Sequence, residues 1–212
     1  MGKIERIKCG NGNCYIVSNG ENAVLVDTSL TKYREKILSA CEPYKMQLLL
    51  LTHGHIDHIQ NAAFLSEKLG IPIAMHKADT ELIKDNFSQP MSAESFLGKI
   101  VLSVSEKDTF KEQADKFVPT VFLDEGDKLD NYGIPAEIIS VPGHTNGSIA
   151  VDIDGKHLIV GDALMNMFYP TVSMLYHDRN VMLKSAERIS RMDGRTIYFG
   201  HGKPVPNRKW TK

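Results

Sequence analysis

The chain has 212 residues, 42% hydrophobic and 24% charged, with a formal net charge of -1. That is the make-up of an ordinary globular protein, long enough to bury one core without covalent staples. The balance excludes a global field that would draw nucleic acid or an anionic membrane surface, and no run approaches the ~18 apolar residues of a membrane span. Three cysteines, Cys9, Cys14 and Cys41, make an odd count without Cys-x-x-Cys spacing. With an already charged start and no apolar leader, the expected location is a reducing cytoplasm.

Ile4 to Lys8 and Cys14 to Ser18 are predicted strands around the turn Gly10-Asn11-Gly12-Asn13. Ala23 to Val26 is a third strand, ending at Asp27, and Lys32 to Cys41 has a helical pattern that stops before Pro43. Leu48 to Leu51 reads as a fully buried strand. It runs into Thr52-His53-Gly54-His55-Ile56-Asp57-His58. A helix is predicted from Asp57 through Ile59, Ala62, Ala63, Leu65 and Leu69 to Gly70. Ile71 to Met75 is a further buried strand, closed by His76, which reads as structural or surface, and followed by a helix to about Asp85.

Residues 86–119 interrupt this alternation. Within Ser92 to Ser105 the residues Phe96, Leu97, Ile100, Val101 and Val104 form an amphipathic helical stripe. With Met91, Phe96 and Phe110 available, the segment is expected to be a helical cover that partly serves as a lid. From Thr120 strands return, at 121–123, 127–129 and 136–141, ending in Pro142-Gly143-His144. A hairpin, Ser148 to Ile153 and Lys156 to Val160, delivers Gly161-Asp162, and His157 within it is expected to be solvated. A helix from about Asn180 to Met192 precedes the last buried strand, Thr196 to Phe199, which ends in Gly200-His201-Gly202.

Three histidines and a carboxylate within six residues, at the end of a buried strand, are poor core material. Unpaired polar burial costs several kcal/mol, whereas imidazole and carboxylate are the ligands that zinc, iron and manganese take. Thr-His-x-His-x-Asp-His after a hydrophobic strand resembles the signature of the metallo-β-lactamase superfamily of hydrolases. Asp27, His144, Asp162 and His201 follow in that family's order, each after an apolar strand, so the resemblance covers nearly the whole chain.

The resemblance implies an α/β four-layer αββα sandwich, one domain over 1–212 with the cover inserted at about 86–119. It implies two divalent ions, zinc first and iron or manganese as alternatives. His53, His55 and His144 would hold one; Asp57, His58 and His201 the other; Asp162 would bridge them, and Asp27 would support the metal-bearing loops through hydrogen bonds. Ions about 3.5–4 Å apart can share a hydroxide whose parent water has its pKa lowered towards ~7. Asp57 is the candidate catalytic residue, accepting a hydrogen bond from that water and helping to move its proton. No serine stands in a Gly-x-Ser-x-Gly context.

Asp162 stands where the best-known zinc β-lactamases carry cysteine, which resembles thioesterase, lactonase and phosphodiesterase relatives instead. The likeness is to the glyoxalase II group, without the glutathione-binding C-terminal region. Met165 to His177 follows the bridging aspartate and is expected over the site, with Phe168, Tyr169, Met174, Tyr176 and His177 as candidate walls. Such a wall suits a small acyl substrate better than a polyanion.

The expected function is therefore a metal-dependent hydrolase of a small ester, thioester or lactone. Competing readings are a persulfide dioxygenase-like enzyme with a single iron, a phosphodiesterase or nuclease of the same fold, and a non-catalytic metal-binding partner. A small molecule is the expected partner, with neither nucleic acid nor membrane; the oligomeric state, a homodimer included, stays open.

Overall fold

A computed structural model describes residues 2–109 and 113–211. Strands β1 (Lys3–Cys9), β2 (Gly12–Asn19) and β3 (Asn22–Val26) form an antiparallel meander. The chain then crosses over through α1 (Arg34–Cys41) to β4 (Lys45–Leu50), which lies parallel to β3. Helices α2 (Ile56–Ile59) and α3 (Ala62–Leu69) return it to β5 (Ile73–Met75). The segment carrying α4 (Phe96–Val104) leads to β6 (Val121–Phe122), completing a sheet in the order β1-β2-β3-β4-β5-β6.

The second sheet starts as the antiparallel run β7 (Ala136–Ser140), β8 (Ile149–Ile153) and β9 (His157–Ile159). A short ribbon, β10 (Leu164–Met165) with β11 (Thr171–Val172), and α5 (Arg179–Ser190) intervene. β12 (Thr196–Tyr198) then pairs parallel to β9, and β13 (Val205–Pro206) closes the order β13-β12-β9-β8-β7.

The period-two alternation of the strands explains the layering. Val17, Val24, Leu48 and Leu50 of the first sheet meet Ile138, Val151, Ile153 and Ile159 of the second. The opposite faces, Ile16, Leu25, Leu49 and Leu51, pack under Ile37, Ile59 and Leu65 of the helices. On the far side Ile139, Ala150, Leu158 and Ile197 lie beneath Ala186 and Ile189 of α5. Helix, sheet, sheet, helix is the αββα sandwich the sequence implied.

Local differences have identifiable causes. The helix expected from Asp57 to Gly70 is split, because the Asn61 amide between α2 and α3 donates to the carbonyls of Thr28, Ser29 and Leu30 at 2.8, 3.2 and 2.9 Å. After His76 the chain winds as a 3-10 helix, Lys77–Ile83, in place of an α-helix; His76 Nδ1 caps it by accepting from Ala78 N. α4 begins at Phe96, later than expected, where Ser95 Oγ accepts from Gly98 N. The predicted strand at 127–129 is only a bridge from Lys128 to Glu137. Phe110, assigned to the lid, lies outside the described residues. No helix among the described residues is long and apolar enough to cross a membrane.

Candidate metal centre

The carboxyl ends of strands from both sheets open onto one edge, where α/β folds place ligands. β4 delivers His53 and His55 on the turn into α2, and α2 carries Asp57 and His58 on its single turn. From the other sheet come His144 after β7, Asp162 after β9 and His201 after β12. All five histidines and Asp162 are buried, while the Asp57 side chain is 25% exposed at the cavity floor.

Their inward atoms form three groups, each within 4.8 Å: His53, His55 and His144; His53, His58 and Asp162; Asp57, His58 and His201. Asp162 Oδ1 lies 3.6 Å from His58 Nε2, and its Oδ2 lies 3.3 Å from His201 Nε2 and 3.9 Å from His144 Nε2. Asp162 thus touches both halves of the cluster.

The rear atoms of the imidazoles are tied to the scaffold. His58 Nδ1 donates to Asp27 Oδ2 at 2.9 Å, His144 Nδ1 to the Leu175 carbonyl at 2.8 Å, and His201 Nδ1 to the Asn11 carbonyl at 3.2 Å. Thr52 Oγ1 lies 3.1 Å from His53 Nδ1 and donates to Asp27. Such bonds select the tautomer and leave Nε2 facing inward. His55 is turned the other way, its Nδ1 facing His144 Nε2 at 3.0 Å. Asp27 also accepts from Thr52 N at 2.8 Å, and it sits at φ 62, a left-handed conformation that aspartate tolerates better than most residues.

One organising residue was not among those singled out from the sequence. Asp79 is fully buried and lies on the 3-10 helix after β5. It accepts from Gly54 N at 3.0 Å, Thr145 Oγ1 at 2.6 Å, Gly147 N at 2.7 Å and Gln89 Nε2 at 3.0 Å. Its carboxylate therefore staples the His53–His55 turn to the loop of His144. An aspartate one turn after a strand that also ends at the site edge was the available clue.

Burial drives His53 well below the ordinary imidazole value, with His58 and His144 adding to the effect. Burial and His144 hold His55 at about 3. His58 goes the other way: burial opposes its charge, but Asp27, Asp57 and Asp162 raise it to about 9. His201, likewise buried, is raised well above the ordinary value by Asp162 and Asp57. Burial pushes the carboxyls of Asp57 and Asp162 up, yet the neighbouring charges of His58 and His201 hold both well below the usual range. The cluster thus sets two imidazoles held in their charged form, His58 and His201, against two carboxylates held in theirs.

Over it opens a cavity of about 370 Å³. Ile100, Val101 and Val104 of α4 form one wall, and Met165, Met167, Phe168 and Leu175 the other. Of the five wall candidates from the sequence, Phe168 lies here. Tyr169, Met174 and Tyr176 line a separate depression beside α5, and His177 Nδ1 donates to the Pro90 carbonyl at 3.0 Å. The expected placement of these four over the site is corrected by the β10–β11 ribbon, which folds the loop back after Phe168. His157 is half-buried, not solvated, with Nδ1 3.1 Å from the Tyr198 hydroxyl. Cys9, Asn11, Ser29 and Tyr33 also line the cavity. They come from the β1–β2 turn and the loop after β3, brought to the edge by sheet pairing.

The chain resembles hydroxyacylglutathione hydrolase GloC of Haemophilus influenzae, with 31% identity over 199 residues, covering 90% of this chain and 85% of that one. Among solved structures, the BLEG-1 B3 metallo-beta-lactamase superposes with a TM-score of 0.75 at 19% identity, over 96% of this chain and 93% of that one. The di-iron-bound form of TTHA1623 does so with a TM-score of 0.66 at 22% identity, over 96% and 94%. The family model for the metallo-beta-lactamase superfamily matches residues 7–201, which runs from β1 to the last histidine of the cluster. The chain belongs to the metallo-β-lactamase superfamily of metallo-hydrolases.

Proposed function

We propose that this protein is a dinuclear metal-dependent hydrolase of small esters, thioesters or lactones with a largely apolar acyl group. The observation that carries the reading is the convergence of seven histidine and aspartate side chains, five of which, His55, Asp57, His144, Asp162 and His201, line a largely apolar cavity. The site fits metal on its own terms. His53 Nε2, His58 Nε2 and Asp162 Oδ1 are buried without a hydrogen-bond partner among the described residues. That is costly in a core and relieved by a cation. Three imidazoles suit one ion, and Asp57, His58 and His201 a second, with Asp162 between them; zinc, iron and manganese all accept such a set.

When bound, two such ions lower the pKa of a shared water and polarise an acyl oxygen. The remaining work belongs to the chain. Asp57, the more exposed carboxylate, faces the cavity and is the group that accepts the attacking water's proton. Asp27, through His58 and Thr52, holds the imidazoles in register. Ile100, Val101 and Val104 act as a lid wall that seats the acyl group and excludes bulk water. The identity to a hydroxyacylglutathione hydrolase supports thioester cleavage, and the di-iron neighbour keeps iron beside zinc as a candidate.

The test is protein of known metal content assayed against acyl thioesters, esters and lactones. Turnover with two ions per chain, abolished in His55→Ala, is the expected result. One iron per chain with oxygen consumption and no hydrolysis would replace the reading by a dioxygenase.

A further inference from the structure

We propose that Arg6, Lys8 and Lys203 form an anion subsite beside the catalytic cavity, so that the preferred substrate joins its apolar acyl group to a negatively charged leaving group. A second depression, also about 370 Å³, is lined by these three cations together with Asn11, Asn13, Asn166 and neighbouring residues, and by no acidic side chain. Asn11, Met167 and Phe168 line both this depression and the cavity over the metal cluster, so the two are contiguous. A substrate lying across that boundary has its acyl end among apolar side chains and its other end among cations.

The sequence arranges this simply. Arg6 and Lys8 are alternate residues of β1 and therefore project from the same face. Lys203 follows His201 by two positions, and Arg6 Nη1 donates to the Gly202 carbonyl at 3.1 Å, which fixes the guanidinium beside that turn.

What sets the three apart is their shared position around one depression without an acidic side chain. Most of the arginines, Arg34, Arg179, Arg188, Arg191 and Arg195, each pair with a carboxylate, and Arg6 is an exception. Lys8 and Lys203, like most of the described lysines, have no carboxylate partner among the described residues. In a chain of 25 basic and 26 acidic residues, three cations without acidic partners around one concave surface create a local positive field. Such a field raises the local concentration of an oxyanion. A carboxylate, sulfonate or phosphate supplies the required chemistry.

As a substrate assignment this rests on the hydrolase reading, and the experiment separates the two. Two hexanoyl thioesters are compared, one of mercaptoethanesulfonate and one of mercaptoethanol, which share the acyl group and differ in charge. The expected kcat/KM preference for the anionic ester is about tenfold at low salt, falling towards unity in Lys8→Glu/Lys203→Glu and in high salt. No preference, or one that the double variant keeps, would overturn the subsite. Binding is also followed without turnover, by the amide NMR shifts of Gly10, Asn11 and Gly202 in zinc-loaded protein titrated with hexyl sulfate. Saturable shifts that the double variant loses support the proposal; no shift in the parent protein refutes it. If neither thioester is cleaved, the hydrolase reading fails while the titration still decides the subsite. Both lysines are exposed, and Lys8→Gln/Lys203→Gln serves should the charge reversal unfold the chain.

Discussion

The Asp79 carboxylate and the Thr145 hydroxyl meet at 2.6 Å in the buried space between the turn bearing His53 and His55 and the loop bearing His144. The same carboxylate takes the amides of Gly54 and Gly147, so it sets the separation of loops from two different sheets. Asp79→Asn preserves size but turns one acceptor into a donor facing these donors. The expected cost is about 2–4 kcal/mol, read by urea unfolding, with a fall in bound metal. Unchanged stability together with full metal content would remove Asp79 from this role.

Asp27 acts through other residues. It receives His58 Nδ1 and the Thr52 hydroxyl, and loss of such outer partners weakens metal binding by roughly 10–100-fold. Asp27→Ala is therefore expected to lower metal affinity in competition with a chromophoric chelator. Thr52→Ala, which leaves the His58 bond intact, should do less. Equal affinity in Asp27→Ala and parent protein would contradict the orientation argument.

Metal binding should release protons. His58 is raised to about 9 and His201 is raised well above the ordinary value, so both carry protons at neutral pH that a metal must displace. Affinity is expected to climb as pH rises towards about 9. Calorimetry in buffers of different ionisation enthalpy measures the released protons, and a pH-independent affinity would count against the scheme. In chelator-treated protein the sign reverses. The raised His58 value stabilises the fold fully below 6.5, and that contribution is lost as pH rises through about 9.

Gly200 is fixed by space. A Cβ there would overlap Asp162 Oδ1 and lie 2.7 Å from His58 Cε1. Gly200→Ala is expected to displace the Asp162 carboxylate, and on the proposed metal assignment to lower the bound metal measured by elemental analysis and the hydrolysis rate with it. A fully loaded, active variant would show that Asp162 can move without consequence.

By itself the sequence determined the main strands and helices and marked the histidines and aspartates at their ends, while the layering and the ligand set came with the family resemblance those residues carry. Leu48 to Leu51 announce a strand buried on both faces, and a histidine or aspartate at the end of such a strand stands out because solvent-free burial is costly without a partner. Those signals are local, and periodicity carries them. The tertiary structure decided the rest. Asp79 clamps the Gly54 turn, 25 positions before it, to the His144 loop, where it holds Thr145 and Gly147, 66 and 68 positions after it. The fold of the β10–β11 ribbon directs Phe168 to the cavity and Tyr169 away from it, although the two are neighbours. Arg6 comes beside Gly202 only because β1 ends on the edge where β12 delivers His201. Contacts of this kind depend on which strands pair and where loops turn back, and no periodicity along the chain encodes them.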